Sequence, residues 1–560
     1  QLDLKKVELK DFARTDLIKY DNQTEVDETR LTAVPQDLTN YYLKLTSADQ
    51  KTTYLAVKAI EETTVDGKAV YKVTAEADNL VQRDAQNHFA QTYSYYIEKP
   101  KASQANVYYD FADLVNAIQA NPSGEFRLGQ SMSARHVIPN GKSYITSEFT
   151  GKLLSDGDKR YAIYDLEHPL FNVINGGTIK NINFENVDIN RSGQNQIATL
   201  GFNLKNKGLI EDVKVTGSVT GNNDVAGIVN KIDEDGKIEN VAFIGKIDSV
   251  GNNSTVGGIA GSNYMGFVNR AYVDATITAQ NANASMLVPF VTYMLNSWKS
   301  GTKARVTNSV AKGVLDVKNT RNVGGIVAKT WPYGAVQDNV TYAKVIKGQE
   351  IFASNDVNDE DGGPHIKDLF GVVGYSSAED GTGKDTKNPK KLKHLTKEEA
   401  DKRVEGYKIT ADTFVSEPYA LNTLNNASSQ AEFANIQDYN PEYKQAYKNI
   451  EKFQPFYNKD YIVYQANKLA KDHNLNTKEV LSVTPMNDSN FVTDLSAANK
   501  IIVHYADGTK DYFKLSESSE GLSNVKEYTV TDLGIKYTPN IVQKDHSSLI
   551  NGIVDILKPI

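Results

Sequence analysis

The sequence predicts a mainly β protein organised around a right-handed parallel β-helix, and three observations carry that prediction. The first is a repeat. Gly177-Thr-Ile179-Lys-Asn181, Gly208-Leu-Ile210-Glu-Asp212, Gly236-Lys-Ile238-Glu-Asn240, Gly266-Phe-Val268-Asn-Arg270, Ala304-Arg-Val306-Thr-Asn308 and Gly334-Ala-Val336-Gln-Asp338 share one pattern: a turn residue, an apolar third place and usually Asn or Asp at the fifth. Their starts step by 31, 28, 30, 38 and 30 residues, a period that marks a solenoid. The second is a Gly-rich block between them: Ala198-Thr-Leu200-Gly-Phe202, Val225-Ala-Gly-Ile228-Val229, Val256-Gly-Gly-Ile259-Ala260 and Val323-Gly-Gly-Ile326-Val327. The third is alternation within a unit, as in Ile179, Ile182, Phe184, Val187 and Ile189, which gives strands with one buried face and corners where the step is three. Glycine tolerates positive φ and close stacking, and Asn or Asp suits tight bends. An antiparallel β-sandwich is the alternative arrangement of such short strands.

The elements follow in chain order. Residues 1–100 read as a small β-sandwich-like domain with strands at Asp16–Tyr20, Tyr41–Thr46, Tyr54–Ile60, Val70–Ala75 and His88–Ile97. Asp66-Gly67, between two alternating runs, signals a hairpin. Residues 101–170 hold a capping helix and the first irregular coils. Asp110 is its N-cap, Phe111, Leu114, Val115 and Ile118 form one face, and Asn121-Pro122 ends it. Such a helix covers the open edge of the first coil.

The repeats fill 171–377. The one long step marks an insertion near Asn283–Lys303, and it contains Trp298. Trp331-Pro-Tyr333 lies one coil later. Insertions of this kind map to one face of a solenoid, so Trp298, Trp331 and Tyr333 are candidate anchors for a partner; packing of the insertion on its own coil is the alternative. Residues 378–437 read as a linker with short helices, because Asp380-Gly-Thr-Gly-Lys-Asp-Thr-Lys-Asn-Pro-Lys-Lys391 is nearly devoid of apolar side chains. Residues 438–560 form an α+β region. Helical patterns begin at Asn440 and Lys459, and a hairpin joins Lys500–Tyr505 to Lys510–Leu515.

Composition narrows the function classes. A chain of 560 residues holds about three domains. Its net charge of −8 argues against a nucleic-acid binder. It has no cysteine, hence no disulfide framework, thiol nucleophile or Cys-ligated metal. No apolar run reaches the roughly 18 residues of a membrane span. Gln1-Leu-Asp-Leu-Lys-Lys has no signal-peptide character and reads, like the end at Pro559-Ile560, as a cut inside a larger protein.

The Val-Gly-Gly-Ile blocks resemble the Gly-rich repeat of bacterial surface β-helices. Phe149-Thr-Gly-Lys-Leu-Leu154, Pro169-Leu-Phe171 and Gly176-Gly-Thr-Ile179 resemble a narrower group, joined by Val7-Glu-Leu-Lys10, Asn40-Tyr-Tyr-Leu43 and Ile60-Glu-Glu-Thr-Thr-Val-Asp-Gly67. That group is the Gram-positive zinc metalloproteases that include the immunoglobulin A proteases, in their long N-terminal non-catalytic region. The resemblance implies a secreted or cell-wall-attached protein. It also implies a host protein substrate such as immunoglobulin A, and a downstream catalytic domain that carries the zinc.

No catalytic, cofactor-binding or metal-binding residue is assigned within the chain. A zinc hydrolase needs two histidines within one helical turn and a nearby glutamate. The eight histidines are His88, His136, His168, His365, His394, His473, His504 and His546, and no two lie that close. Gly374-Tyr-Ser376-Ser-Ala378 lacks the last glycine of a nucleophile elbow. Asp356-Val-Asn358-Asp-Glu360-Asp361 carries Asp361 where a calcium loop needs glycine. Three functions fit: a scaffold and substrate-recognition region of a surface metalloprotease, a glycan-degrading β-helix enzyme, or an adhesin that binds host glycoprotein or glycan with no protease attached. The acidic residues scatter instead of lining a groove, which weakens the second.

Overall fold

Ile179, Ile210, Ile238, Val268, Val306 and Val336 are register partners on successive parallel strands, each one coil beyond the last. The ladder continues upstream through Leu153 and Phe126, and all of these side chains are buried. This computed structural model describes residues 12–21, 24–48, 50, 52–76, 81–82, 88–291, 304–330, 334–355, 374–377, 392–409, 411–425, 431–434, 480–487, 490–491, 500–505, 510–518 and 525–530. Two compact units result, one formed by Gln1–Lys99 with Ala420–Ile560, the other by Pro100–Tyr419.

The second unit is the parallel β-solenoid, of about seven coils. One wall is a seven-stranded parallel sheet that runs from Val173–Asn175 through Gly201–Lys205, Val229–Ile232, Ala260–Asn263, Phe290–Val291 and Val327–Thr330 to Phe352–Asn355. The repeat explains the corners. The fifth-place residues Asn181, Asp212, Asn240, Arg270, Asn308 and Asp338 all have φ between 52° and 59°. That left-handed conformation is the one Asn and Asp accept most readily after glycine.

The Gly-rich blocks answer to backbone proximity. A Cβ on Gly227 would lie 1.9 Å from the Gly258 carbonyl oxygen, and one on Gly325 would lie 1.9 Å from that of Glu350. Val256 pairs with Ala284 and Gly257 with Ser285, so Ala284-Ser-Met-Leu287 occupies the place of the Gly-rich block in its coil. Met286, Leu287 and Val288 are fully buried there. The insertion therefore does not begin at Asn283; regular coil continues to Val291, and residues 292–303 lie outside those described.

Helix α1 (Phe111–Ala120) precedes the coils. The Asp110 carboxylate accepts from the Asp113 amide at 3.2 Å, and Phe111, Leu114, Val115 and Ile118 are buried. They join one core with Phe126 and Leu128 of the first coil, and the Phe111 ring meets the Tyr144 ring edge-on at 5.0 Å.

Within the stretch that composition marks as linker, residues 392–419 pack along the solenoid. Leu392–His394 adds a parallel strand to Gly374–Ser376. Helix α2 (Lys397–Glu405) follows, capped by the Thr396 hydroxyl. Its Ala400 and Val404, with Ile409 and Phe414, cluster with Ala242, Tyr272, Val310 and Val340, which are paired residues of successive coils. The segment then runs back to the first coils. Asn183 Nδ2 donates to the Phe414 carbonyl at 3.2 Å, and the Ser131 hydroxyl donates to the Glu417 carbonyl at 2.6 Å. A strap thus joins the two ends of the coil stack.

The first unit holds an eight-stranded antiparallel sheet. Its long strand Thr52–Val65 pairs with Tyr41–Ser47 through its first half and with Lys68–Glu76 through its second, so one continuous sheet folds over a single core. Thr15 and Tyr93, from strands that are not neighbours, meet through their hydroxyls at 2.8 Å inside it. Asp66 and Gly67 have φ of 51° and 79°, the pair of positive values that a tight primed hairpin requires. Ala431–Ala434 adds to the His88–Glu98 edge. A five-stranded antiparallel sheet is formed by Asn490–Phe491, Val480–Asn487, Lys500–Tyr505, Lys510–Ser518 and Val525–Val530, in that order. It contains the expected hairpin, with His504 opposite Lys510. The helical patterns at Asn440 and Lys459 lie outside the described residues.

Candidate interaction surfaces of the solenoid

Chemistry-bearing side chains do not converge on a metal. Among the described residues no group of three or more His, Asp or Glu could hold one. His168 Nε2 accepts from the Arg191 guanidinium at 2.7 Å, and His394 Nδ1 lies 2.9 Å from Glu350. Both rings are thus engaged by other partners, and this donor set does not fit a zinc centre. Burial, with Arg191 beside it, pushes His168 down to about 4. Ser376 lies on a ladder strand paired with Asn339–Thr341, not in a strand–turn–helix. Asp356–Asp361 lies outside the described residues. No helix among those described is long and apolar enough to cross a membrane.

Trp298, Trp331 and Tyr333 also lie outside the described residues, but the chain around them is placed. Val291 and Thr330, which precede the two segments, pair directly on adjacent coils. Ala304 and Gly334, which follow them, pair as well. Both segments are therefore flanked by residues that pair with each other on adjacent coils.

A cavity of about 250 Å³ opens beside the seven-stranded wall, lined by Gln196, Asp224, Asn230, Lys231, Thr255 and Ser262 together with the rings of Phe202, Tyr264 and Phe290. Asn230 is only 5% exposed. Its Nδ2 donates to the carbonyls of Ile197 at 3.1 Å and Asp224 at 2.8 Å, which fixes the amide orientation. Its Oδ1 accepts nothing from the protein. The Asp224 carboxylate accepts from the Thr255 amide at 3.0 Å, and burial raises its carboxyl above the usual range. Lys231 is paired with Asp233 at 3.2 Å and stands 5.0 Å over the Tyr264 ring. Sequence reasoning did not find this cluster. Its members are about 30 residues apart and meet only once coil length sets the register; the aromatic residues that follow the Gly-rich blocks were the one available signal.

These features define a parallel β-solenoid in which, among the described residues, no metal-binding group is assembled. Residues 1–217 match the family model described as the N-terminal region of the M26 IgA1-specific metallo-endopeptidases. Over its whole length the chain is 60% identical to zinc metalloprotease ZmpB of Streptococcus pneumoniae serotype 4 (strain ATCC BAA-334 / TIGR4), of which it spans 29%. It is 33% identical to zinc metalloprotease ZmpC of the same strain, again spanning 29%. Over 99% of its length it is 30% identical to an immunoglobulin A1 protease of Streptococcus sanguinis, of which it spans 30%. A solved structure titled IgA1 Protease aligns with 95% of this chain and 41% of its own, at 22% identity and a TM-score of 0.49. The chain belongs to the immunoglobulin A1 protease and zinc metalloprotease family, in its N-terminal region, and spans less than a third of each of the three streptococcal relatives named here.

Proposed function

We propose that this chain is the non-catalytic scaffold and substrate-recognition region of a secreted or surface-attached zinc metalloendopeptidase that cleaves host proteins such as immunoglobulin A. Zinc and the catalytic domain belong to another part of the same polypeptide. Remote binding of a bulky protein substrate raises specificity at the scissile bond without supplying chemistry. The observation that supports this reading is the double pairing of Val291 with Thr330 and Ala304 with Gly334, the described residues that flank the two segments containing Trp298, Trp331 and Tyr333. Aromatic anchors at an interface carry a large share of its binding energy.

The test is alanine at each of the three positions in the full protease, with substrate affinity and thermal stability both measured. Loss of roughly 1–4 kcal/mol of binding at unchanged melting temperature is expected. Lower stability with unaltered substrate affinity would reject the anchor role. Binding of host glycoprotein by a parent protein that carries no protease would favour the adhesin.

A further inference from the structure

We propose that the cavity between Asp224, Asn230 and Tyr264 is a binding site for a neutral sugar ring. The inference stands apart from the Trp298 segment and does not depend on its role. It follows from what the lining lacks and what it offers. The fixed Asn230 Oδ1 is buried in the wall of the cavity and accepts nothing from the protein, so a donor arriving from the cavity would satisfy it. The Asp224 carboxylate, also in the lining, is a second acceptor, held in place by the Thr255 amide.

An anion would face both acceptors, and Lys231, the only lysine among the described lining residues, is already paired with Asp233. A metal cation would find a single carboxylate among the described lining side chains. A wholly apolar ligand would leave Asn230 Oδ1 buried without a donor, which is costly. Adjacent hydroxyl groups supply the donors, while the rings of Phe202, Tyr264 and Phe290 suit the C–H face of a pyranose. At about 250 Å³ the space lies just below the usual range of ligand pockets and suits one ring better than an extended ligand.

The residues come from consecutive coils: Asn203 pairs with Lys231, Lys231 with Ser262 and Ser262 with Phe290. The site therefore exists only in the stacked solenoid. Asp224 has a φ of 60°, which asparagine also tolerates, so Asp224→Asn keeps the backbone and the Thr255 contact while removing the charge.

The experiment uses the whole chain and saturation-transfer NMR with glucose, galactose, mannose, N-acetylglucosamine and N-acetylgalactosamine in turn, with sorbitol as the open-chain control. At least one ring sugar is expected to bind saturably and sorbitol not to compete. Asp224→Asn and Tyr264→Ala should each weaken that binding by roughly tenfold or more, as expected for loss of a charge-assisted hydrogen bond or a stacking face. Should Tyr264→Ala lower the melting temperature, Asp224→Asn alone decides. Absence of binding by every sugar, equal competition by sorbitol, or full retention of affinity in Asp224→Asn would overturn the proposal.

Discussion

The Arg270 guanidinium donates through Nε to the Tyr407 carbonyl oxygen at 2.9 Å, tying a corner of the solenoid to the strap that runs along it. Arg270 also reaches the Lys408 carbonyl at 3.1 Å and Asn240 Oδ1 at 3.3 Å. It is the one fifth-place residue of the six that is neither Asn nor Asp, yet its φ is 56° like the rest. The corner accepts a less suitable backbone residue, and the side chain holds the strap in exchange.

The first prediction separates these two effects. Arg270→Ala should destabilise by about 1–3 kcal/mol, since charge-assisted bonds at a partly exposed site are lost. Arg270→Asn should cost less, because Asn returns the corner to its preferred conformation. In both, amide exchange over residues 407–414 should quicken. Unchanged exchange there would show that Arg270 does not hold the strap.

The second prediction concerns the interior ladder. Ile238 lies between Ile210 and Val268 and is fully buried. Ile238→Asp should cost several kcal/mol, on the order of an unpaired buried charge. Because each coil is stabilised mainly by its neighbours, several coils should open together in hydrogen exchange. A variant that melts like the parent would exclude this register.

The ladder was legible because a fixed repeat reports both coil length and the inward place: Ile179 to Val336 stack as their spacing implies. The corners were legible for the same reason, through Asn or Asp at the fifth place. Met286 was not, since it stands where neighbouring coils carry glycine and so hides its own block. The strap was hidden as well. Ala400, Val404, Ile409 and Phe414 are too few and too spaced to announce a packed segment, and their partners Tyr272 and Val310 lie more than 80 residues earlier. Meetings between coils, such as Asn230 and Tyr264 lining one cavity, have no local signature at all.

The third prediction is a pH dependence. His168 is half-buried and accepts from Arg191, so its ring is neutral in the folded protein, with its pKa pushed down to about 4. Once unfolded it takes up a proton near its ordinary value of about 6.5. Stability from this group is therefore intact above pH 6.5 and lost as pH falls from 6.5 toward 4. With solvent screening discounted, the loss is about 1–2 kcal/mol. His168→Gln should lack that part of the acid sensitivity when unfolding is compared at pH 7 and pH 4.5. Identical pH profiles for parent and variant would exclude the effect.

The last prediction is that this chain alone hydrolyses no peptide bond yet contributes to substrate choice in the whole protease. Metal-assisted hydrolysis needs a metal with an open coordination position and a base beside it. Here His168 is held by Arg191 and His394 by Glu350, and no two histidines share a helical turn. A stack of parallel coils braced by a strap offers instead a rigid face on which a large substrate can dock. The measurement is incubation of residues 1–560 with immunoglobulin A and excess zinc, with cleavage followed by mass spectrometry and binding by interferometry. Binding without cleavage is expected. Metal-dependent cleavage would show that a catalytic centre lies within this chain, and a zinc domain without these residues that matched the full enzyme in rate and selectivity would remove the recognition role.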